Sequence, residues 1–237
     1  MPILEVEKLS ISFKQYTKGL KQESFNVISS LNVTLEEGEI LAVVGASGSG
    51  KSLLAHAILG ILPSNANISG TIKYEGELLT APRQALLRGK EIALIPQSVN
   101  YLDPLMRVGK QVSTSVNGRD ERLAQQEGFE RLHLKQEFEK MFPFQLSGGM
   151  ARRVLLATAI VSGAQLIIAD EPTPGLDPVV IKEALKNFRE FADNGHTVMF
   201  ITHDIESALT IADKIAVFYA GTTVEVASVE DFAGDGS

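Results

Sequence analysis

The feature that most constrains the fold is the octapeptide GASGSGKS at residues 45–52, which fits the pattern G-x-x-x-x-G-K-[ST]. It follows a continuous apolar run at residues 40–44, which is typical of a strand buried on both faces of a parallel sheet. A helical pattern comes next, from Ser52 to about Leu62, and Pro63 ends it. A strand, a glycine-rich loop and a helix in this order predict a phosphate-binding loop and disfavour a chance Gly/Ser-rich turn.

Each residue type in this loop has a reason in phosphate chemistry. Glycine has no Cβ to obstruct a phosphate oxygen, and successive N–H groups at a helix N-terminus attract an anion. We expect Lys51 to contact the β- and γ-phosphates of ATP and Ser52 to bind Mg²⁺. The residues expected to bind the nucleotide here are Gly45, Ser47, Gly48, Ser49, Gly50, Lys51, Ser52 and Leu53.

Two carboxylates, Asp170 and Glu171, directly follow a second apolar run at residues 166–169. In a protein with a phosphate-binding loop, a carboxylate at the end of a neighbouring strand holds the Mg²⁺ shell, which indicates Asp170. Glu171 is then placed to polarise the attacking water. Without the loop, the same pair would be typical of an ordinary polar strand end.

Gln97 and His203 each end an apolar run of their own, at residues 92–96 and 197–202. A neutral amide at such a place can ligate Mg²⁺ or orient water, and a neutral imidazole can bond the γ-phosphate. Considered alone, Gln97 is equally typical of a surface amide, and His203 is equally typical of an ordinary histidine at a strand end. Their order along the chain favours the functional interpretation.

A second glycine pair, Gly148 and Gly149, follows Ser147 and begins a helical run at residues 151–161. Bare backbone at a helix N-terminus is again an anion site. One chain has no use for two such sites on one nucleotide, whereas two chains packed head to tail can each close the other's ATP. This pattern predicts a dimer. Asp177 lies in the segment that follows the carboxylate pair.

These motifs, in this order, resemble those of the nucleotide-binding subunit of an ABC transporter, over essentially all 237 residues. The resemblance implies a Walker A loop at 45–52, a Q-loop at Gln97, a signature at 146–150, a Walker B motif at 166–170, the catalytic Glu171, a D-loop around Asp177 and the switch His203. It also implies an adenine-stacking aromatic residue, which maps best onto Phe13, with Tyr16 as the alternative. Core packing is an equally typical role for Phe13, because alternate strand residues face a core.

Two motifs depart from the family pattern. The signature ends in Met150 where glutamine is usual, and the D-loop has Pro174 and Gly175 where Ser-Ala or Thr-Ala is usual. Both signature glycines and Asp177 are kept, so we still expect activity.

Alternation of strands and helices predicts an α/β fold. With the resemblance, this becomes a P-loop NTPase (RecA-like) core with a mostly parallel sheet, an antiparallel β subdomain and an inserted α-helical subdomain. We predict one ABC ATPase domain at 1–237, with the core and β subdomain at about 1–96 and 164–237 and the helical subdomain at about 97–163. Residues 14–24 are predicted to be an exposed loop, and residues 68–79 an antiparallel pair.

A finer resemblance points to the peptide/nickel branch of importers. It rests on NYLDPLMRVG at 100–109, on residues 52–63 and on Met150. It implies a dipeptide, oligopeptide, nickel or metallophore importer that uses ATP and Mg²⁺. The implied partners are a second ABC ATPase subunit (a distinct homologue or an identical copy), two membrane permease subunits and, indirectly, an extracytoplasmic substrate-binding protein. Members of the branch often have a longer C-terminal tail, so truncation at Ser237 stays open.

The composition of the chain limits its possible partners, metal sites and location. A net charge of −7 disfavours a nucleic-acid partner, and the lack of cysteine excludes disulfides and cysteine-ligated metal sites. No run approaches the roughly 18 apolar residues of a membrane span. With the resemblance, this predicts a peripheral protein on the cytoplasmic face of the cell membrane. The alternative is a soluble, non-transport ABC ATPase of translation, repair or assembly.

Overall fold

The computed structural model describes residues 1–16 and 22–234. The strands are β1 (Pro2–Tyr16), β2 (Gln22–Glu36), β3 (Ile40–Gly45), β4 (Ala66–Tyr74), β5 (Glu77–Leu78), β6 (Ile92–Ile95), β7 (Leu166–Asp170), β8 (Thr197–Thr202), β9 (Lys214–Tyr219) and β10 (Thr222–Ser228). The helices are α1 (Lys51–Leu59), α2 (Ala81–Leu87), α3 (Val108–Thr114), α4 (Glu121–Arg131), α5 (Gly148–Ile160), α6 (Pro178–Asp193), α7 (Ile205–Ile211) and α8 (Val229–Gly234). Short 3₁₀ turns lie at Val99–Tyr101, Gln136–Lys140 and Pro143–Gln145.

The chain forms two compact units. The first unit contains residues 1–86 and 199–237, and the second contains residues 87–198. The predicted division into a core with a β subdomain and a helical subdomain stays a prediction.

The first unit contains an antiparallel sheet in the order β2-β1-β4-β5. Strand β1 is continuous across Lys8, whose φ of 50° accommodates a shift in the pairing with β2 between Val6 and Leu9. The antiparallel pair predicted at residues 68–79 is confirmed, since β4 pairs with β5 through Lys73 and Leu78. The inner face of this sheet is apolar and buried, as expected when alternate residues face a core.

The loop predicted at residues 14–24 is wrong at both of its ends. Residues 14–16 continue β1 and residues 22–24 begin β2, with Lys14 opposite Ser24. Polar side chains suit this ribbon because cross-strand partners stabilise it and Lys14 is exposed. Residues 17–21 of the predicted loop lie outside the described residues.

In the same unit, β3 pairs in parallel with β9, and β9 pairs antiparallel with β10. Gly221 lies in the turn between β9 and β10. Helix α7, which precedes β9 in the chain, and helix α8, which follows β10, were not predicted. Side chains of α7 and α8 pack on the core formed by β3 and β9, with Ala42, Val44, Ala208 and Ile215 buried at its centre.

Helix α1 ends at Leu59, three residues before the predicted end at Leu62. The reason is Gly60, which takes a left-handed conformation (φ 65°) and caps the helix. The Gln84 side chain satisfies the last-turn carbonyls, because its Nε2 donates to the oxygens of Ala57 (2.8 Å) and Ile58 (3.0 Å). A Cβ on Gly60 would lie 2.2 Å from Gln84 Oε1, so glycine also makes room for this cap.

In the second unit, β6 and β7 pair in parallel, with Ile95 opposite Ala169. The predicted helical segment is present but divided, since α3 and α4 are short and 3₁₀ turns separate the helices. Helix α6 begins after Asp177, whose side chain caps it, and has Pro178 in its first turn. In the described part of the chain, no helix is long and apolar enough to cross a membrane.

Candidate functional site

The glycine-rich loop in the first unit connects the buried strand β3 to α1. Gly48 and Gly50 have φ values of 81° and 100°, a region that favours glycine. Gly45 is required for a different reason, because a Cβ there would lie 2.3 Å from the carbonyl oxygen of Phe218. The local backbone therefore explains three of the glycines in the motif.

Lys51 and Ser49 give this loop its polar interior. The Lys51 side chain is 6% exposed, and its Nζ donates to the carbonyl oxygens of Gly45 (2.7 Å) and Ala46 (3.0 Å). Ser49 is also 6% exposed, and its Oγ has no hydrogen-bond partner among the described residues. A buried ammonium and an unsatisfied hydroxyl at a helix N-terminus fit an anionic phosphate group, which would offset the charge of Lys51 and bond the Ser49 hydroxyl. Ser52 and Leu53 follow in the first turn of α1.

The predicted adenine-stacking residue, Phe13, lies on the antiparallel sheet and not on the strand that carries the glycine-rich loop. It is half-buried, opposite the exposed Phe25 on β2 and Ala66 on β4. It is therefore not part of the fully buried core, and its role stays a prediction. The side chain of the alternative, Tyr16, lies outside the described residues.

His203 directly follows β8 and is exposed. The backbone after it is held in place, because the Asp204 amide donates to Thr202 Oγ1 (3.0 Å). The Asp204 carboxylate caps α7, accepting from the amides of Glu206 (3.1 Å) and Ser207 (3.3 Å). His203 is therefore an exposed residue of the first unit whose following backbone is fixed by hydrogen bonds.

The second unit brings three of the predicted residues to one edge of its parallel pair. Because Ile95 is opposite Ala169, the carboxyl ends of β6 and β7 are level with each other. Gln97 follows the first strand two residues later, and Asp170 and Glu171 lie at the end of the second. Asp170 and Glu171 are buried, whereas Gln97 is exposed.

Glu171 has an uncommon backbone conformation, with a φ of 48°. A left-handed conformation costs a non-glycine residue about 1–2 kcal/mol. Such strain persists only where the surroundings impose it, and it is concentrated at functional sites. The strain turns the chain sharply immediately after β7, at the residue predicted to polarise water.

The signature segment and the D-loop are in contact within the second unit. Ser147 caps α5, its Oγ accepting from the Met150 amide (3.3 Å), and Gly148 and Gly149 form the first helical residues. Ser147 and Gly148 are exposed, whereas a Cβ on Gly149 would lie 3.3 Å from the Gly175 carbonyl oxygen. The helix N-terminus therefore presents bare backbone on one side and packs against the D-loop on the other.

A charged pair strengthens this contact. Arg153 Nη2 lies 2.8 Å from Asp177 Oδ2. The Val180 amide, donating to the carboxylate, and the nearby Arg153 guanidinium hold the pKa of Asp177 below its ordinary value.

Arg152, the preceding residue, is buried, at 7% exposure. Its Nη1 donates to the carbonyl oxygen of Pro96 (3.0 Å). Burial lowers the pKa of this guanidinium, and the charges of Asp170 and Glu171 act in the opposite direction. Arg152 therefore lies in the electrostatic field of the carboxylate pair.

A bound Mg²⁺ would need ligands beyond the protein. Across residues 1–16 and 22–234, no group of three or more His, Asp or Glu side chains could hold a metal ion. This suits Mg²⁺, which keeps several waters and is typically bound through one or two carboxylates and the substrate's phosphates.

Comparison with known proteins places the chain in a family. The family model described as ABC transporter matches residues 28–174. The chain belongs to the ABC transporter family. As a member of this family it is an ATPase that uses ATP with Mg²⁺, and the predicted family and enzyme class are confirmed.

Several curated ABC proteins are similar over nearly the whole chain. The oligopeptide transport ATP-binding protein OppD of Bacillus subtilis is 36% identical over 98% of this chain and 68% of its own length. The protein of the same name from Lactococcus lactis subsp. cremoris is 37% identical, over 97% and 70%. The dipeptide transport ATP-binding protein DppD from that subspecies is 34% identical, over 97% and 68%.

Solved structures confirm the predicted P-loop NTPase fold. A dimeric ATP-binding cassette in a post-hydrolysis state, bound to ADP and Pi, superposes with a TM-score of 0.84 at 23% identity. It covers 95% of this chain and 98% of its own. The cbiO1 protein of Clostridium perfringens, part of an ABC transporter complex, superposes with a TM-score of 0.76 at 27% identity, over 99% and 91%.

Sequence reasoning missed three residues that shape these sites, Arg152, Arg153 and Asp204. Asp204 could have been found, because an aspartate before an apolar-periodic run is a helix N-cap signal. Two consecutive arginines in a helix gave no indication of which one is buried.

Proposed function

We propose that this chain is the ATP-hydrolysing subunit of an importer for peptides. The observation that carries the proposal is the loop at residues 45–52, with its buried ammonium and its unsatisfied hydroxyl, in a chain whose similar relatives are named for oligopeptide and dipeptide transport. Nickel or a metal chelate stays a second predicted substrate class.

The phosphate-binding role belongs to the first unit. Lys51, already directed towards the loop, would exchange its carbonyl partners for the β- and γ-phosphates of ATP. Ser49 Oγ and the loop amides would donate to phosphate oxygens, and His203 would bond the γ-phosphate. Phe13 would stack on adenine. Backbone donors fixed before the substrate arrives cost little reorganisation, which favours charge stabilisation in the transition state.

The hydrolytic role belongs mainly to the second unit. Asp170 and Gln97 are the residues of this unit that would hold Mg²⁺, which when bound offsets the charge on the transferring phosphoryl group. Glu171 would orient the attacking water and accept its proton. Its carboxylate is held by a strained backbone at the end of β7, which limits the positions it can take.

The exposed N-terminus of α5 supports a site completed by a second subunit. Ser147 and Gly148 present a helix N-terminus to solvent, and Gly149 holds it against the D-loop that contains Asp177. We propose that these residues close over the ATP of a partner ATPase, either a distinct homologue or an identical copy. ATP binding would then drive closure, and hydrolysis would reset it.

A groove on the second unit supports a membrane partner. It has a volume of about 370 Å³ and is lined by Leu94, Tyr101, Leu102, Met106, Thr114 and Leu155, among others. Tyr101 and the nearby Leu105 are largely exposed. Gln111 fixes the loop at its rim, because its side chain bonds the backbone of Asp103 and the oxygen of Met106. The apolar part of this groove, beside an ordered rim, fits the apolar face of a helix, as in helix-in-groove recognition.

We therefore propose that a helix of one membrane permease subunit docks here, and that a second permease subunit docks on the partner ATPase. This would place the chain peripherally on the cytoplasmic face of the membrane. An extracytoplasmic binding protein would act only through the permeases.

The absence of cysteine makes this docking directly testable. A single cysteine introduced by Leu105→Cys should cross-link to a membrane protein in detergent-solubilised membranes, whereas the matched control Lys186→Cys, on α6, should not. The purified assembly should hydrolyse Mg-ATP, and an oligopeptide-loaded binding protein should accelerate it. Recovery of ribosomes or DNA in place of a membrane protein would favour the soluble alternative.

A further inference from the structure

Arg152 is an unusual residue for its position. Arginine is rarely buried in proteins unless it is paired, because a desolvated charge without a partner is costly. Here the side chain is 7% exposed, and one of its nitrogens donates to the Pro96 carbonyl oxygen at 3.0 Å. The fold keeps a cation where an apolar side chain of similar volume would avoid the desolvation penalty.

The surroundings of Arg152 join three segments of the second unit. The residue itself is on α5, five positions after the Ser147 cap. Pro96, which it holds, directly precedes Gln97, and the ends of β6 and β7 are level. The charges of Asp170 and Glu171 favour the guanidinium and compensate part of its burial. One side chain therefore connects the signature helix, the Q-loop backbone and the carboxylate pair.

We propose that Arg152 is a positioning residue that couples the signature end of α5 to the backbone carrying Gln97. This inference rests on the proposed function. An α-helix transmits displacement along its axis, and the five residues from Ser147 to Arg152 span about 7.5 Å. When Ser147 and Gly148 engage the partner's nucleotide, a small shift of α5 moves the Pro96 carbonyl, and with it Gln97. Closure at one ATP is thereby transmitted to the hydrolytic residues of the same chain that serve the other ATP.

The test compares Arg152→Gln and Arg152→Lys with the control Arg122→Gln, an exposed arginine of α4. The full chain is purified with the subunits that bind it. Turnover of Mg-ATP, affinity for a fluorescent ATP analogue and the thermal midpoint are measured for each. Misplacement of reacting groups by about 1 Å can cost about 100-fold in rate, so we expect Arg152→Gln to lower kcat by at least about 10-fold.

The split between kcat and nucleotide affinity identifies a positioning role. Nucleotide affinity should stay within about 2-fold of wild type in both variants, because a 2-fold change is only about 0.4 kcal/mol and the phosphate loop is unaltered. Arg152→Lys should give an intermediate kcat, since it retains a charge and one donor for the Pro96 oxygen. Arg122→Gln should match wild type in all three measurements.

Wild-type kcat in Arg152→Gln would overturn the inference. Equal losses of affinity, thermal midpoint and kcat in both variants would also overturn it, because they would show a purely structural residue. If Arg152→Gln does not fold, the kcat of Arg152→Lys is the test of the inference. A wild-type kcat in Arg152→Lys would then overturn the proposed coupling. A wild-type assembly without Mg-ATP turnover would instead refute the proposed function.

Discussion

Arg153 on α5 and Asp177 at the start of α6 form an ion pair in which Nη2 and Oδ2 are 2.8 Å apart. The same carboxylate caps α6 by accepting from the Val180 amide at 3.1 Å. Asp177 therefore fixes the D-loop in two ways, through the helix it begins and through the signature helix beside it.

This double role leads to a prediction about pH. The pKa of Asp177 is below its ordinary value of 3.8, chiefly because of the Val180 amide and also because of Arg153. A group whose pKa is lower in the folded protein contributes stability that is present above its unfolded value and is lost as the pH falls through the folded value. Urea unfolding should show that the stability advantage of wild type over Asp177→Asn is constant above about pH 5 and shrinks below about pH 4.

A double-mutant cycle separates the ion pair from the cap. Asp177→Asn keeps a capping oxygen but loses the charge, and Arg153→Met removes the guanidinium. We expect the two changes to be non-additive in unfolding free energy, since the residues are in contact. The exposed i,i+4 pair Lys186 and Glu190 is the control, and its cycle should give a weaker coupling. Additivity at Arg153 and Asp177 would show that the pair contributes nothing.

Replacement of Lys51 by alanine should abolish ATP binding. The buried ammonium is the cation held at the loop in this structure, through two carbonyl oxygens, and alanine cannot replace its charge. Fluorescence titration with an ATP analogue should show at least about a 100-fold weaker affinity, corresponding to about 2.8 kcal/mol. The control Lys186→Ala, on the surface of α6, should bind as wild type does. Unchanged affinity in Lys51→Ala would refute the assignment of the loop.

Replacement of Glu171 by glutamine should leave ATP binding intact and trap a closed dimer. Glutamine has almost the same shape and tolerates the same backbone, but it cannot accept a proton from water. Turnover should fall by about 100-fold or more, because general-base assistance contributes about 10²–10⁴-fold. Size-exclusion chromatography with ATP should show a dimer that wild type forms only transiently. Wild-type turnover in this variant would exclude the role given to Glu171.

The phosphate-binding loop and the carboxylate pair could be predicted from the sequence because the residues that indicate them are close together in the chain. A buried strand, a glycine-rich loop and a helix follow one another within 20 residues, and each constrains its neighbour. The family and the fold followed from these motifs in order. The prediction of where α1 ends was less accurate. This end depends on the left-handed conformation of Gly60 and on a cap from Gln84, which is 24 residues away in the chain.

The β1–β2 ribbon shows a second limit of prediction from local sequence patterns. Its polar arms resemble a loop when each is considered alone, and only the pairing of Lys14 with Ser24 makes them strands. Strand formation depends on a partner's hydrogen bonds and side chains more than on intrinsic preference.

Arg152 and Arg153 show most clearly which features can be predicted from the sequence and which depend on tertiary packing. They are adjacent and identical in the sequence, which determines that both lie on the helix that begins with Gly148 and Gly149. Consecutive helical residues point about 100° apart, so one guanidinium is buried against Pro96 and the other reaches Asp177. The sequence alone determined the phosphate loop, the carboxylates and the helix. Which of the two arginines is desolvated depends on tertiary packing, because Arg152 is buried against a segment that is 56 residues away in the chain.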